Sequence, residues 1–234
     1  MTNTAIPTRQ SNPTKNSRPY SAPPDDGLDV VHVDESLLVV NKPSGLLSVP
    51  GRGAGMDDCL SSRIQAIYPE ALAVHRLDME TSGLMVLARN KEMHRSLSIL
   101  FENRQVEKRY LAIVDGALAE SSGEIDLPLI GDWPNRPLQK VDHDIGKPSL
   151  TRYRVLAYAT DSDTSRVELE PHTGRSHQLR VHLMSLGHPI LGDSLYASPA
   201  LQAKAGRLLL HATYLAFMHP LSSEPLAFSS PAPF

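Results

Sequence analysis

Short stretches of apolar residues, separated by polar or turn-forming residues, follow one another along most of the chain. The stretches Leu28–Asp34 and Leu37–Lys42 are rich in β-forming residues and are separated only by Glu35 and Ser36. Two such stretches with a short polar break between them predict a β-hairpin. The same pattern predicts further strands at Val74–Leu77, Leu84–Arg89, Arg109–Asp115, Thr151–Ala159, Arg166–Glu170 and, as the final strand, Leu208–Met218.

Apolar residues at helical spacing occupy three other segments. They predict helices from Asp57 or Asp58 to about Tyr68, from about Lys91 onward, and from Ser176 to Leu186. The third helix is predicted to be amphipathic, with Leu179, Leu183 and Leu186 on one stripe and Gly187 as its C-cap. Strands outnumber helices and often follow one another directly. The predicted fold class is therefore α+β, with a large, mainly antiparallel mixed sheet flanked by helices and loops.

The N-terminal residues differ in composition from the rest of the chain. The first 24 residues contain five prolines and many Ser, Thr and Asn residues, with little that a core would bury. We therefore predict a disordered Pro/Ser/Thr-rich tail over residues 1–27 and one folded domain over residues 28–234. Those first 24 residues lack acids, as transit peptides do, but their prolines would interrupt the amphipathic helix that such a signal needs.

The apolar runs and the cysteine count predict the cellular compartment of the chain. No apolar run approaches the ~20 residues of a membrane span, and no signal-peptide pattern is present. Cys59 is the single cysteine, which excludes an internal disulfide and a CxxC metal site and fits a reducing compartment. We expect a cytoplasmic protein without a membrane partner.

The formal net charge of −3 argues against tight, non-specific binding to nucleic acid. Basic residues are nevertheless concentrated locally. Residues 1–24 and 171–182 contain basic residues and no acid, and residues 89–110 contain six Lys or Arg against three Glu. Such stretches can follow a short RNA element, and a solvated surface is an equal alternative for any one of them.

Candidate chemistry is densest in the segment His75-Arg76-Leu77-Asp78-Met79-Glu80-Thr81-Ser82-Gly83. A predicted strand carries His75 and Arg76 and leads into a polar turn that contains Asp78. The hydroxyl side chains of that turn can form hydrogen bonds with its backbone groups. Asp78 is therefore a candidate catalytic carboxylate, and an ordinary turn residue is the alternative.

A second polar segment, residues 172–182, begins the third predicted helix. Arg180 lies about one turn inside that helix, beside its apolar stripe, so we expect its guanidinium to be partly buried. A buried guanidinium requires an anion, and a carboxylate is the natural partner. We therefore predict a bidentate contact between Arg180 and Asp78, with an Arg180 that spans the surface as the alternative.

Other kinds of site have weaker support. His177 and His182 are five residues apart, which separates them on a helix and on a strand, so no metal site is expected. Gly51–Gly55 lacks the Lys-Ser/Thr of a phosphate-binding loop and is predicted to be a flexible loop. No GxSxG motif is present, and Cys59 is placed in a helix of ordinary apolar spacing.

Four segments, taken in order, resemble the motifs of the RluA family of pseudouridine synthases. His75–Gly83 matches the motif HRLD-x-x-TSG, and Lys108-Arg109-Tyr110 matches K-x-Y. Gly174–His182 matches G-R-x-H-Q-[IL]-R-x-H, and Leu209–Ala212 matches L-L-H-A. Similarity is greatest to the dual-specificity member of the family, through Asn41–Gly51, Asp132–Pro137 and Gly187–Asp193. The resemblance covers about Leu28 to the C-terminus. It implies the pseudouridine synthase catalytic fold, without the S4 domain of many relatives.

The resemblance also implies a reaction, the isomerisation of uridine to pseudouridine in structured RNA. Asp78 would be the essential acid and Arg180 its partner. Tyr110 would stack on the uracil. We favour stacking over proton removal, since a phenol with a pKa of about 10 is a poor unaided base. Arg76 would occupy the space that the extruded base leaves. The further residues implied to contact RNA are His75, Lys108, Arg136, Arg175, His177 and Gln178.

The implied targets are position 746 of 23S rRNA and position 32 in the anticodon stem-loop of tRNA. The isomerisation neither oxidises nor imports a group, so we expect no cofactor and no metal. Asp78 can attack C1′ of the ribose or remove a proton from C2′, and both routes stay open. We expect a monomer.

Two other functions are alternatives at this stage. An RNA-binding or RNA-folding protein on the same scaffold would lose no activity in cells when Asp78 is replaced by Asn. An aspartyl-based hydrolase or phosphotransferase would need Mg²⁺ and a second carboxylate motif, and EDTA would inhibit it.

Overall fold

The computed structural model of the chain describes residues 20–234. Residues 1–19, most of the predicted disordered tail, lie outside the described residues. The described strands are β1 (Val30–Val33), β2 (Leu37–Lys42), β3 (Leu72–Ala73), β4 (Ser82–Ala88), β5 (Glu107–Asp115), β6 (Ser122–Asp126), β7 (Leu129–Gly131), β8 (Gln139–Val141), β9 (Leu150–Ala159), β10 (Thr164–Pro171), β11 (Leu210–Met218) and β12 (Pro225–Ser229). The described helices, none of which has the length and apolar composition of a membrane span, are α1 (Leu60–Gln65), α2 (Lys91–Glu102), α3 (Gln178–Ser185) and α4 (Pro199–Gln202).

Ten of these strands form one sheet. Its order is β1-β2-β4-β11-β5-β10-β9-β6, with β12 paired to β11 and β3 paired to β4. The pairings are antiparallel except that between β4 and β11. Strands β7 and β8 form a separate hairpin, with a 3₁₀ turn at Trp133–Asn135 between them. The predicted α+β class with a large, mainly antiparallel sheet is confirmed.

The centre of the sheet is buried on both faces. Side chains alternate along β2, so that Leu37 and Val39 belong to the core under α2, whereas Leu38 and Val40 belong to the core under α1. Burial of each such side chain contributes about 1.5–3 kcal/mol. A third core lies between α3 and strands β5 and β10. These three cores fix the strands and helices from which the candidate residues project.

Residues 20–24 contact the domain, so the predicted tail extends too far along the chain. The Tyr20 hydroxyl donates to the Asp58 carbonyl oxygen at 2.8 Å, and Arg63 donates to the Pro23 carbonyl oxygen at 2.6 Å. The prediction failed because these contacts use backbone carbonyls and a single phenol, which composition does not reveal.

The predicted strand at Val74–Leu77 is wrong. β3 ends at Ala73, and the chain then bends away from the sheet. Further along β4, at Ser82 and Gly83, the pairing strand is β11. The imidazole of His75 takes the place of a strand carbonyl and accepts the amide proton of Val86 at 3.1 Å. Because the chain leaves the sheet here, the residues that follow lie over the end of the sheet.

The first helix is shorter than predicted. Its N-cap is Cys59, whose sulfur accepts from the Ser62 amide at 3.4 Å, so neither Asp57 nor Asp58 caps it. Cys59 therefore precedes the helix instead of lying within it. Asp58 pairs with Arg63 at 2.7 Å. Asp57 and Asp58 were predicted as N-caps because Asp is among the preferred N-cap residues, whereas Cys is not.

The third helix is not amphipathic, and β11 is not the final strand. Every residue of α3 from Gln178 to Leu183 is buried, because its polar side chains meet polar partners inside the protein. Leu186, predicted on the apolar stripe, is instead 40% exposed. After β11 the chain turns back to form β12 against it. Strands β6, β7 and β8 were also missed, because they are short and carry no sustained apolar alternation.

Replacing Gly83 with alanine is expected to destabilise the fold by more than about 2 kcal/mol. Gly83 has φ +113°, and a Cβ there would lie 2.4 Å from the backbone oxygen of Ala212 on β11. Gly206→Ala is the matched control, because a Cβ at Gly206 meets nothing within 4 Å. Urea denaturation of both variants measures the difference. Equal stability of the two variants would contradict this close approach of β4 and β11.

Candidate active site

A cleft of about 510 Å³ opens at the end of the sheet, where the chain leaves β3. Asp78 enters it from the loop before β4, Tyr110 from β5 and Arg180 from α3. The structure thus brings together the three residues predicted to be catalytic. The Asp78 carboxylate lies 3.8 Å from Arg180 Nη1, and the Asp78 side chain is 19% exposed against 2% for Arg180. The carboxylate is therefore accessible from the cleft, and the cation lies beneath it.

A buried lysine anchors the loop that carries Asp78, and sequence analysis did not single it out. Lys42 Nζ donates to the carbonyl oxygens of Pro43, Leu46 and Met79 at 2.9, 2.7 and 3.0 Å. Burial lowers the pKa of Lys42 to about 7, although the charge of Asp78 acts in the opposite direction. One ammonium group therefore ties the end of β2 to the residue that follows the candidate carboxylate.

Arg180 and Asp78 form the predicted ion pair, but the bidentate contact of Arg180 is with Asp193 and not with Asp78. Its Nε and Nη2 donate to the two oxygens of Asp193 at 2.8 and 2.6 Å, and Nη2 also donates to Glu80 at 3.0 Å. Only Nη1 faces Asp78, beyond hydrogen-bonding distance. Burial acts to lower the pKa of Arg180, but the three carboxylates raise it above its usual value. The guanidinium is fixed by Asp193 and Glu80 and presents one edge to Asp78.

Tyr110 lies beside Asp78 with its phenol largely enclosed. Burial raises the pKa of Tyr110 well above its usual value, and the negative charge of Asp78 raises it further. Such a phenol stays protonated at neutral pH. The geometry therefore favours a stacking or hydrogen-bond-donating Tyr110 over one that removes a proton.

Two residues predicted to contact RNA are instead used inside the protein. The Gln178 amide accepts from the Thr173 hydroxyl and the Arg175 amide, and it donates to Leu150 and Thr151. No polar atom of that side chain is left for a base. His75 stacks on Phe101 with ring centroids 4.5 Å apart.

The imidazole of His75 is neutral in this position. Burial lowers the pKa of His75 to about 3, and the charge of Lys108 lowers it further. An imidazole that already accepts from the Val86 amide shapes the wall of the cleft and cannot act as a cation toward phosphate.

The rim of the cleft is basic. It is lined by three residues that were predicted to contact RNA, the exposed Arg76 and Arg175 and the half-buried Lys108, and by Arg104, which sequence analysis did not single out. Arg136 does not line the cleft. It lies at the exposed tip of the β7–β8 hairpin, where its guanidinium carbon is 3.2 Å from the centroid of the Trp133 ring. His177 lies deeper in the cleft, with Nε2 3.9 Å from Asp78.

Comparison with known proteins shows the family of the chain. The family model described as RNA pseudouridylate synthase matches residues 36–185. The chain belongs to this family. A curated relative, the dual-specificity RNA pseudouridine synthase RluA of Escherichia coli O6:H1, is 53% identical over 92% of this chain and 98% of the relative. The protein of the same name from Pasteurella multocida is 51% identical over 92% of this chain and 98% of the relative.

Solved structures support the same family assignment. The human protein described as RNA pseudouridylate synthase domain containing 1 superposes with a TM-score of 0.75 at 31% identity, covering 92% of this chain and 87% of that chain. Its human counterpart, domain containing 4, has a TM-score of 0.70 at 31% identity, covering 87% of this chain and 88% of that chain. As a pseudouridine synthase, the chain is an isomerase that converts uridine in RNA to pseudouridine.

Proposed function

We propose that this pseudouridine synthase modifies one uridine in a hairpin of 23S rRNA and one in the anticodon stem-loop of tRNA, with Asp78 acting at the ribose. Relatives that are named for dual specificity match nearly their whole length and support the two substrate classes. The observation that carries the proposal is the Asp78 carboxylate, accessible in a basic-rimmed cleft beside Tyr110 and Arg180.

The residues of the cleft supply what the isomerisation needs. The N1–C1′ bond breaks, the uracil turns, a C5–C1′ bond forms, and the C5 proton is lost while N1 gains a proton. No electron is transferred to a partner and no group is imported, so we propose that no cofactor takes part. An ionised Asp78 can attack C1′ or remove the C2′ proton, and Nη1 of Arg180 lies 3.8 Å from the carboxylate in either case.

The rim residues have separate proposed roles. Arg175 and Lys108 meet the phosphates around the target nucleotide, and Tyr110 stacks on the extruded uracil. At the tip of the β7–β8 hairpin, the exposed Trp133 ring and the Arg136 guanidinium form a flat surface on which an unpaired loop base stacks. A stem-loop presents such bases at a lower energy of opening than a duplex does.

Purified protein incubated with transcripts of the two stem-loops tests the proposal. Mapping of pseudouridine should show one modified uridine in each transcript. Addition of EDTA should leave both products unchanged. Modification of only one transcript would refute dual specificity, and inhibition by EDTA would refute the cofactor-independent reaction.

We expect Arg76→Ala to reduce the rate on a folded stem-loop about 100-fold, and the rate on an unstructured oligonucleotide much less. Arg76 is exposed next to Asp78 at the mouth of the cleft, where it can fill the space that the extruded base leaves. In an unstructured oligonucleotide, extrusion of the uridine leaves no gap in a base stack, so the rate on that substrate should fall less. Single-turnover rates on both RNAs measure the ratio. Equal losses on the two substrates would contradict this role.

A further inference from the structure

The Tyr196 hydroxyl connects the β7–β8 hairpin to the cleft. Its oxygen accepts the backbone amide proton of Gln139, in β8, at 2.9 Å. The same oxygen lies 2.7 Å from Nδ1 of His177, whose Nε2 lies 3.9 Å from the Asp78 carboxylate. The Tyr196 backbone is itself fixed, because its amide donates to Asp193 at 3.1 Å. A continuous path of polar contacts thus runs from the hairpin to the candidate catalytic group.

The position of one proton on this path follows from counting donors and acceptors. The Gln139 amide can only donate, so the Tyr196 oxygen accepts from it. The hydroxyl proton of Tyr196 then has one acceptor within hydrogen-bonding distance among residues 20–234, the Nδ1 atom of His177. Burial raises the pKa of Tyr196 to about 12, so that proton is present at neutral pH. A neutral imidazole that accepts at Nδ1 carries its own proton on Nε2.

We propose that Tyr196 holds His177 in the neutral tautomer protonated at Nε2, and that this N–H is a positioning donor beside Asp78. The inference rests on the proposed role of Asp78 at the ribose. From its position 3.9 Å away, the N–H can move to donate to the carboxylate or to a hydroxyl of the bound ribose. His177 is thus a positioning residue, and Tyr196 acts through it.

The backbone conformation of His177 is consistent with a side chain that is held in one position beside Asp78. His177 has φ 55° and ψ 18°, the left-handed conformation, just before α3 begins. Among residues other than glycine, His, Asn and Asp adopt this conformation most readily, and it stores strain that persists where the surroundings enforce it. Gln139 belongs to the hairpin whose tip carries Trp133 and Arg136, so the Tyr196 hydroxyl joins that hairpin to the imidazole beside Asp78.

Removal of a single hydroxyl group tests the inference. We expect Tyr196→Phe to reduce the single-turnover rate about tenfold, the effect of one neutral hydrogen bond, while the Kd for the stem-loop changes less than about twofold. Tyr158→Phe is the matched control, because it removes an exposed hydroxyl that donates to Asp163 on the β9–β10 turn. We expect its rate to equal that of the wild type. A Tyr196→Phe enzyme with the wild-type rate would overturn the inference.

Nitrogen NMR of the ¹⁵N-histidine-labelled wild-type protein gives an independent result, even if the Tyr196 variant folds poorly. We expect the His177 ring to show an unprotonated Nδ1 and a protonated Nε2, and a protonated Nδ1 would overturn the inference. His177→Asn keeps a residue suited to the left-handed backbone, but its side chain is too short to place an N–H where Nε2 lies beside Asp78, so its rate should also fall about tenfold. An active Asp78→Asn enzyme would refute the proposed function itself and leave the tautomer assignment intact.

Discussion

Replacing Asp78 with asparagine is expected to reduce the single-turnover rate by about 10⁴-fold or more on both stem-loops. The side chain keeps its shape and its place in the cleft, but it can neither attack C1′ nor accept the C2′ proton. Arg180 remains fixed by Asp193 and Glu80, so the walls of the cleft should not change. RNA binding, which relies on the basic rim, should stay within about threefold of wild type.

The matched control for that variant is Asp161→Asn. Asp161 is exposed on the turn between β9 and β10, at the far end of the hairpin from the cleft, and it should keep full activity. A rate for Asp78→Asn within tenfold of wild type would exclude a covalent or proton-transfer role for the carboxylate. Weakened RNA binding with an unchanged rate on bound RNA would instead assign Asp78 to substrate binding.

Replacing Asp193 with asparagine is expected to destabilise the protein by about 3–5 kcal/mol and to reduce the isomerisation rate as well. Asp193 is completely buried and accepts from Arg180 and from the amides of Leu195 and Tyr196. Loss of its charge leaves a buried guanidinium without its bidentate partner. Arg180 would then turn toward Glu80 or Asp78, and the edge that it presents to the Asp78 carboxylate would move.

Asp115→Asn provides the comparison for that change. Asp115 pairs with Lys204 at 2.9 Å on the surface, where both side chains are about one third or more exposed. Exposed pairs contribute about 0–1 kcal/mol, so this variant should unfold near the wild-type urea concentration. Equal destabilisation of the two variants would show that Asp193 contributes no more than a surface charge.

The sequence predicted the candidate catalytic residues better than it predicted the residues that hold them in place. Asp78 and Arg180 stand in dense polar motifs, and both motifs belong to the segments that carry the resemblance. Asp193 carries no such local signal, because its partner lies 13 residues earlier in the chain. The bidentate contact was assigned to the wrong carboxylate for that reason. Side-chain pairing across a turn depends on tertiary geometry that spacing alone does not contain.

Lys42 had a signal that could have been used. It ends β2, two residues after a stretch of four buried apolar residues, and a lysine in such a strand is rarely buried unless it is paired. Tyr196 and the β7–β8 hairpin had no comparable signal, since β7 and β8 are three residues each and lie apart from the main sheet. Their contribution to the site arises from one backbone amide, which no sequence pattern marks.

A crystal structure of the Asp78→Asn protein bound to either stem-loop would test the central claim most directly. We predict an extruded target uridine in the cleft, with its uracil stacked on Tyr110. The ribose C1′ or C2′ should lie within about 3.5 Å of the residue 78 side chain. A bound RNA whose target nucleoside remains stacked in the loop, or enters the cleft with its ribose away from residue 78, would contradict the account.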